Sequence, residues 1–149
     1  MTRTVTILVH VDADADTAFP LFDPVNETKW DSSWKPKLLG DHVEEGLVFL
    51  VEHGGKKSTW VVDRYDPENR TIGYIAVTAS ILTRILISVT ASDSTSVATV
   101  TYTRTALNED GACEVERFAA HFPSQASHWE EAINSYLDSC HGTQRRSDL

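Results

Sequence analysis

Apolar and polar positions alternate through residues 3–12: Val5, Ile7, Val9 and Val11 share one parity, and Thr4, Thr6 and His10 the other. A run so rich in β-branched residues predicts a strand with one buried face. The alternation stops at Asp12-Ala-Asp-Ala-Asp16, which supplies N-cap candidates and first-turn acids. It predicts a short helix through Phe19 and Phe22 that starts near Asp14 or Asp16, because Pro20 is tolerated only in a first turn. Asp23-Pro24 ends it, and a second short helix is expected around residues 25–31, ahead of a loop at Pro36.

From Leu38 the chain has the texture of strands separated by short polar turns. A weak strand is expected over residues 38–44, then stronger ones over 46–53, 57–65, 71–77, 82–91 and 97–106. Gly54-Gly55 marks a hairpin, and residues 66–70 and 92–96 are turns. Serial strands with short connections fold as an antiparallel meander. Residues 108–111 break the pattern. Beyond them Phe118, Phe122, Ala126, Trp129, Ile133, Tyr136, Leu137 and Cys140 recur at helical spacing, predicting one long helix kinked at Pro123 and stopped by Gly142. Residues 1–142 read as a single α+β domain of about seven antiparallel strands, and 143–149 as a flexible tail.

The order strand, two short helices, six strands, long helix constrains the packing. A sheet this long twists and curls, and its concave face needs an apolar cover. Only the C-terminal helix is long enough, at roughly 37 Å for residues 116–140. A straight helix across a curved sheet leaves space beneath it, which the two short helices partly close.

The run Ala18-Phe-Pro-Leu-Phe-Asp-Pro24, with Glu27, Trp30, Trp34 and Pro36, resembles the N-terminal segment of bacterial SRPBCC proteins. This is the START-like, helix-grip superfamily, which also holds polyketide cyclases and plant pollen-allergen proteins. Further matches are Trp60-Val-Val with Tyr65-Asp66, Val100-Thr-Tyr-Thr103 with Thr105-Ala-Leu107, and Trp129, Ala132, Tyr136 and Leu137. The resemblance runs from Val5 to Leu137 through diffuse apolar and aromatic positions, a pattern more specific for fold than for chemistry. It implies a curved sheet gripping a helix around a hydrophobic pocket, in proteins of which only some are enzymes.

Composition narrows the partners. The 149-residue chain is 41% hydrophobic and 23% charged, with a formal net charge of −9. Nucleic-acid binding needs a basic stripe, and the lysines and arginines here are scattered. No apolar run approaches the ~18 residues of a membrane span, and the N-terminus lacks a secretory h-region, so the cytoplasm is the expected compartment. The two cysteines, Cys113 and Cys140, are expected as free thiols, with Cys140 on the apolar helix face. Nothing in the sequence speaks to oligomeric state.

Aromatic residues are the most informative candidates for a site. Trp30 and Trp34 lie four apart around the second short helix, Trp60, Tyr74 and Tyr102 sit in strands, and Trp129 is on the long helix. Taken singly, each ring is also what an ordinary core needs; together, on facing elements, they favour a lined chamber. His53 shares parity with Phe49 and Val51, which would point it into that chamber; the competing reading is a solvated strand end beside Gly54. Arg104 shares parity with Val100 and Tyr102, whereas Arg84 falls on the opposite face; surface positions are the alternative for both. Inside the chamber, His53 and Arg104 would favour a ligand carbonyl or carboxylate. No metal is expected, because His121 and His128 are seven apart rather than four, and no motif calls for a cofactor. Nor is there a Gly-x-Ser-x-Gly elbow.

The leading expectation is a protein that binds an apolar small molecule in an internal cavity. Two alternatives stand beside it: a cyclase-, aromatase- or lyase-like enzyme using the same cavity, and a co-chaperone-like interaction module. Whether any reaction is catalysed is left open by the sequence.

Overall fold

A computed structural model describes the backbone of residues 1–147 and the side chains through Cys140. The N-terminal β-branched run forms β1 (Thr2–Val11). Asp14 then caps α1 (Ala15–Ala18), its carboxylate accepting from the Thr17 N–H at 2.7 Å. The chain tightens into a 3-10 turn at Phe19–Phe22, with Pro20 near its start, and a second at Asn26–Lys29. Next come β2 (Lys37–Leu38), β3 (Val48–His53), β4 (Lys56–Asp66), β5 (Thr71–Val77), β6 (Ile81–Ser92) and β7 (Thr95–Ala106). The helical region is α2 (Glu109–His121), a 3-10 turn (Phe122–Ser124) and α3 (Gln125–Ser147).

All seven strands form one antiparallel sheet in the order β1-β7-β6-β5-β4-β3-β2, so the first strand closes against the last. The β3–β4 hairpin turns on Gly54 and Gly55, both at positive φ, where a side chain would be strained. A register shift between Val62 and Arg64 bends β4. Inward positions alternate along β6 (Ile81, Thr83, Ile85, Ile87, Val89) and β7 (Ser96, Ala98, Val100), giving the concave face an apolar surface. Outward, Thr2, Thr4 and Thr6 pair their hydroxyls with those of Thr105, Thr103 and Thr101 across β1 and β7. Arg84 is exposed on this outer face, as its parity predicts.

Phe122, Ile133 and Leu137 are buried against the sheet, and Trp129 is half-buried. The long helix also covers the free edge of β1. Glu130 accepts from the His10 N–H at 2.8 Å, while Asn134 accepts from the Asp12 N–H and donates to the His10 carbonyl. These two side chains, one turn apart, replace the partners that an edge strand lacks.

Four local expectations are corrected. Of residues 38–44 only Leu38 joins the sheet, in the two-residue strand Lys37–Leu38; the loop beyond is largely exposed and has too few apolar positions to keep a strand in register. The helical region begins at Glu109 rather than near 116, because Asn108 accepts from the Gly111 N–H as an N-cap. Gly111 itself is required, since a Cβ there would collide with the Ser80 carbonyl. At the other end the helix continues through Gly142 to Ser147; glycine weakens a helix interior without ending it. The remainder of the expected tail, residues 148–149, lies outside the described residues. Finally, Cys140 is exposed, as is Cys113.

Candidate ligand-binding site

The segment between β1 and β2 forms one wall of the site, and its backbone accounting explains how it is held. Carbonyls at the ends of the two 3-10 turns have no helical partner. The Leu21 carbonyl accepts from the Trp30 indole N–H at 2.7 Å, the Phe22 carbonyl from the Tyr74 hydroxyl at 2.8 Å, and the Pro24 carbonyl from the Trp34 indole at 2.8 Å. Asp23 supports the next turn, accepting from the Val25 and Asn26 N–H groups and the Asn26 amide. Three of the expected site aromatics therefore spend their polar atoms on this segment and present only ring surface elsewhere. Trp60 does the same, donating to the Ser58 hydroxyl at 2.9 Å.

Between this wall, the concave face and α3 lies a cavity of about 130 Å³, lined by Glu27, Asp31, Trp34, Trp60, Tyr74, Ile85, Ile87, Tyr102 and Trp129. Five of the six aromatics expected around a chamber meet here. Trp30 stands behind them, packed 5.7 Å from Trp129 and 6.3 Å from Phe22. Two aromatic clusters flank the space. Trp34, Phe49, Trp60 and Tyr74 are in mutual ring contact at 5.3–6.0 Å on one side. Tyr102, Phe118, Phe122 and Trp129 form a chain at 4.5–6.1 Å on the other. Offset and edge-on packing of this kind fixes ring orientation.

His53 and Arg104 do not line the cavity. His53 is exposed at the last position of β3, paired with Lys56 next to the hairpin glycines, so strand parity does not carry it into the cavity. Arg104 does face inward, but beneath α2. Its guanidinium lies 4.0 Å from the centre of the Phe118 ring and 6.0 Å from that of Tyr102, and its buried Nε has no hydrogen-bond partner among the described residues. Burial lowers its pKa, against the opposing pull of Tyr102 and Glu114.

Sequence reading missed the two acids. Burial pushes the Glu27 carboxyl up to about 8, and the like charges of Asp31 and Asp23 add to the rise. Its side chain makes no hydrogen bond to another described residue, and neither does the Tyr102 hydroxyl, whose pKa is raised by burial and then by Glu27. Asp31 accepts from the Ser33 N–H and hydroxyl. The signal was present in the spacing: Glu27, Trp30, Asp31 and Trp34 fall at i, i+3, i+4 and i+7, one face of a helical turn. Ile85 and Ile87 were legible as inward strand positions.

No family model and no curated protein sequence matches this chain. Solved structures do. Norcoclaurine synthase from Thalictrum flavum superposes at a TM-score of 0.69, with 15% identity over 92% of this chain and 87% of that one. Ara h 8.0201 gives 0.68, with 16% identity over 93% and 99%. An aromatase/cyclase from a Streptomyces species gives 0.66, with 19% identity over 93% and 94%. The chain has the helix-grip fold. That is the architecture implied by the SRPBCC resemblance, with the helix-grip cavity in the expected place, between sheet and long helix. Among the described residues, no three His, Cys, Asp or Glu side chains converge as metal ligands, and no helix is long and apolar enough to cross a membrane.

Proposed function

We propose that this helix-grip protein binds a small molecule in the cavity between its sheet and its long helix. The observation that carries this is the enclosure itself: five aromatic rings from three separate parts of the chain converge on one unfilled space. At about 130 Å³ the space is close to the ~150 Å³ cavity that takes one benzene ring. The ligand, or the part of it that enters, is therefore of single-ring size. Structural neighbours support this use of the fold, since one norcoclaurine synthase structure is described as a complex with dopamine and hydroxybenzaldehyde.

An aromatic probe of one ring, such as phenol, should bind with one-to-one stoichiometry and change the tryptophan emission. Ile87→Phe should fill the space and abolish binding, while overpacking lowers stability by only about 1–3 kcal/mol. Unaltered affinity in a folded Ile87→Phe variant would place the site elsewhere.

One observation favours a second reading as an enzyme. Glu27 holds a proton near neutral pH and faces the same space as the Tyr102 hydroxyl. A carboxyl group poised in this way can give or accept a proton at a ligand carbonyl or enol. Turnover that disappears in Glu27→Gln and persists in Arg104→Gln would support it.

A further inference from the structure

We propose, building on the ligand-binding reading above, that the cavity selects a small organic cation, an ammonium or quaternary ammonium group held between the aromatic faces and the Glu27 and Asp31 carboxyl groups. The donors of Trp34, Trp60 and Tyr74 are committed to protein oxygens, so these residues offer a ligand ring surface and no hydrogen-bond donor. A ring face carries the negative end of the aromatic quadrupole and attracts a cation whose charge lies within ~6 Å of the ring centre. A cavity of about 130 Å³ is roughly 6 Å across and is bordered by five rings, so a cation inside it lies against aromatic surface on more than one side. The same ring system already holds one cation from within the chain, the Arg104 guanidinium over Phe118 and Tyr102.

The remaining lining groups discriminate between ligand charges. None of the residues around the cavity is basic, and two are acids. An anionic ligand would meet these acids without a counter-charge, and the uncommitted donors around the cavity, the Tyr102 hydroxyl, the Trp129 indole N–H and the protonated Glu27 carboxyl, are all neutral. The preference for a carboxylate expected from His53 and Arg104 is therefore reversed, because neither reaches the cavity. A cation instead supplies the charge partner that the half-buried Glu27 side chain lacks.

This arrangement couples binding to protonation. The titratable groups facing Glu27 are Asp23, Asp31, Tyr74 and Tyr102, with Arg104 beyond Tyr102, so no cation in the first layer already holds the Glu27 carboxyl ionised. Glu27 in the empty protein keeps its proton up to about pH 8. A bound cation favours the ionised form, so binding releases a proton, and affinity rises with pH until Glu27 is ionised in the empty protein as well. By reciprocity, each unit by which the cation lowers the Glu27 pKa is a tenfold gain in affinity.

The test is calorimetric titration of the wild-type protein with choline and with its neutral isostere 3,3-dimethylbutan-1-ol, at about pH 6.5 and about pH 9. Neither probe titrates in this range. Choline should bind more tightly than the isostere, its advantage should grow about tenfold between the two pH values, and its heat should depend on the buffer in the way that marks proton release. In Glu27→Gln the choline-to-isostere ratio should fall and lose its pH dependence. If the isostere binds as tightly as choline at both pH values, the cation inference is overturned and the ligand-binding reading stands. If neither binds but phenol does, the same conclusion follows. If choline, isostere and phenol all fail to bind, the ligand-binding reading fails with it.

Discussion

Glu27 is a carboxyl group that the fold moves from water into an aromatic enclosure, and its effect on stability has a definite sign. Its folded pKa, raised to about 8, lies above its unfolded value. The native state therefore holds a proton that the unfolded chain releases, and stability falls as pH rises between about 4.5 and about 8, by on the order of a few kcal/mol in all. Urea unfolding should show Glu27→Gln to be more stable than wild type at about pH 8.5, with the difference vanishing near pH 4.5. Parallel pH profiles for the two proteins would contradict the assigned environment. Asp14 and Asp66 work in the other direction and in another window. Hydrogen bonds from Thr17 and Asn69 lower their pKa values, so their contribution is lost only as pH falls below the ordinary carboxylate range. Single residues were unevenly legible in the sequence. Strand parity placed Tyr102, Ile85 and Ile87 inward, because a long central strand has neighbours along its whole length. It misplaced His53, the last residue of its strand beside the hairpin turn, and it could not show that α2 would lie over Arg104.

At the scale of elements, the periodicities of 2 and 3.6 located every long strand and the long helix. They could not show how the elements are tied together, because those ties are made by polar side chains outside the periodic pattern. Tyr74 is the clearest case. Its ring reads as core, but its hydroxyl holds the Phe22 carbonyl and with it the wall that carries Glu27. Tyr74→Phe removes that donor and leaves a buried carbonyl unpaired, at a cost of about 1–3 kcal/mol. Chemical denaturation should register the loss, and ligand affinity should fall as the wall loosens. The β1 edge offers a second check. Asn134→Ala removes the acceptor for the Asp12 N–H, so hydrogen exchange at Asp12 should accelerate while exchange in β6 is unchanged. Equal protection in the variant would show that the helix does not cap the edge through this side chain.

For the whole molecule, the fold was legible because the order of elements leaves only one helix able to cover the curved face. The chamber followed from the same argument, and the comparison structures share the fold at 15–19% identity. The character of the chamber did not follow, since its two acids and its lack of a basic group depend on how a loop with little regular structure folds back over the sheet. Entry of one ligand into the ring enclosure can be read directly through the four tryptophans. Each indole N–H gives its own nuclear magnetic resonance signal, and three of the four indoles, those of Trp34, Trp60 and Trp129, line the cavity. Titration with phenol as the ligand should move these three signals together, saturably and at one equivalent, with a smaller shift at Trp30. Indole N–H signals that stay in place while surface amides move would show that the enclosure is not where this protein binds.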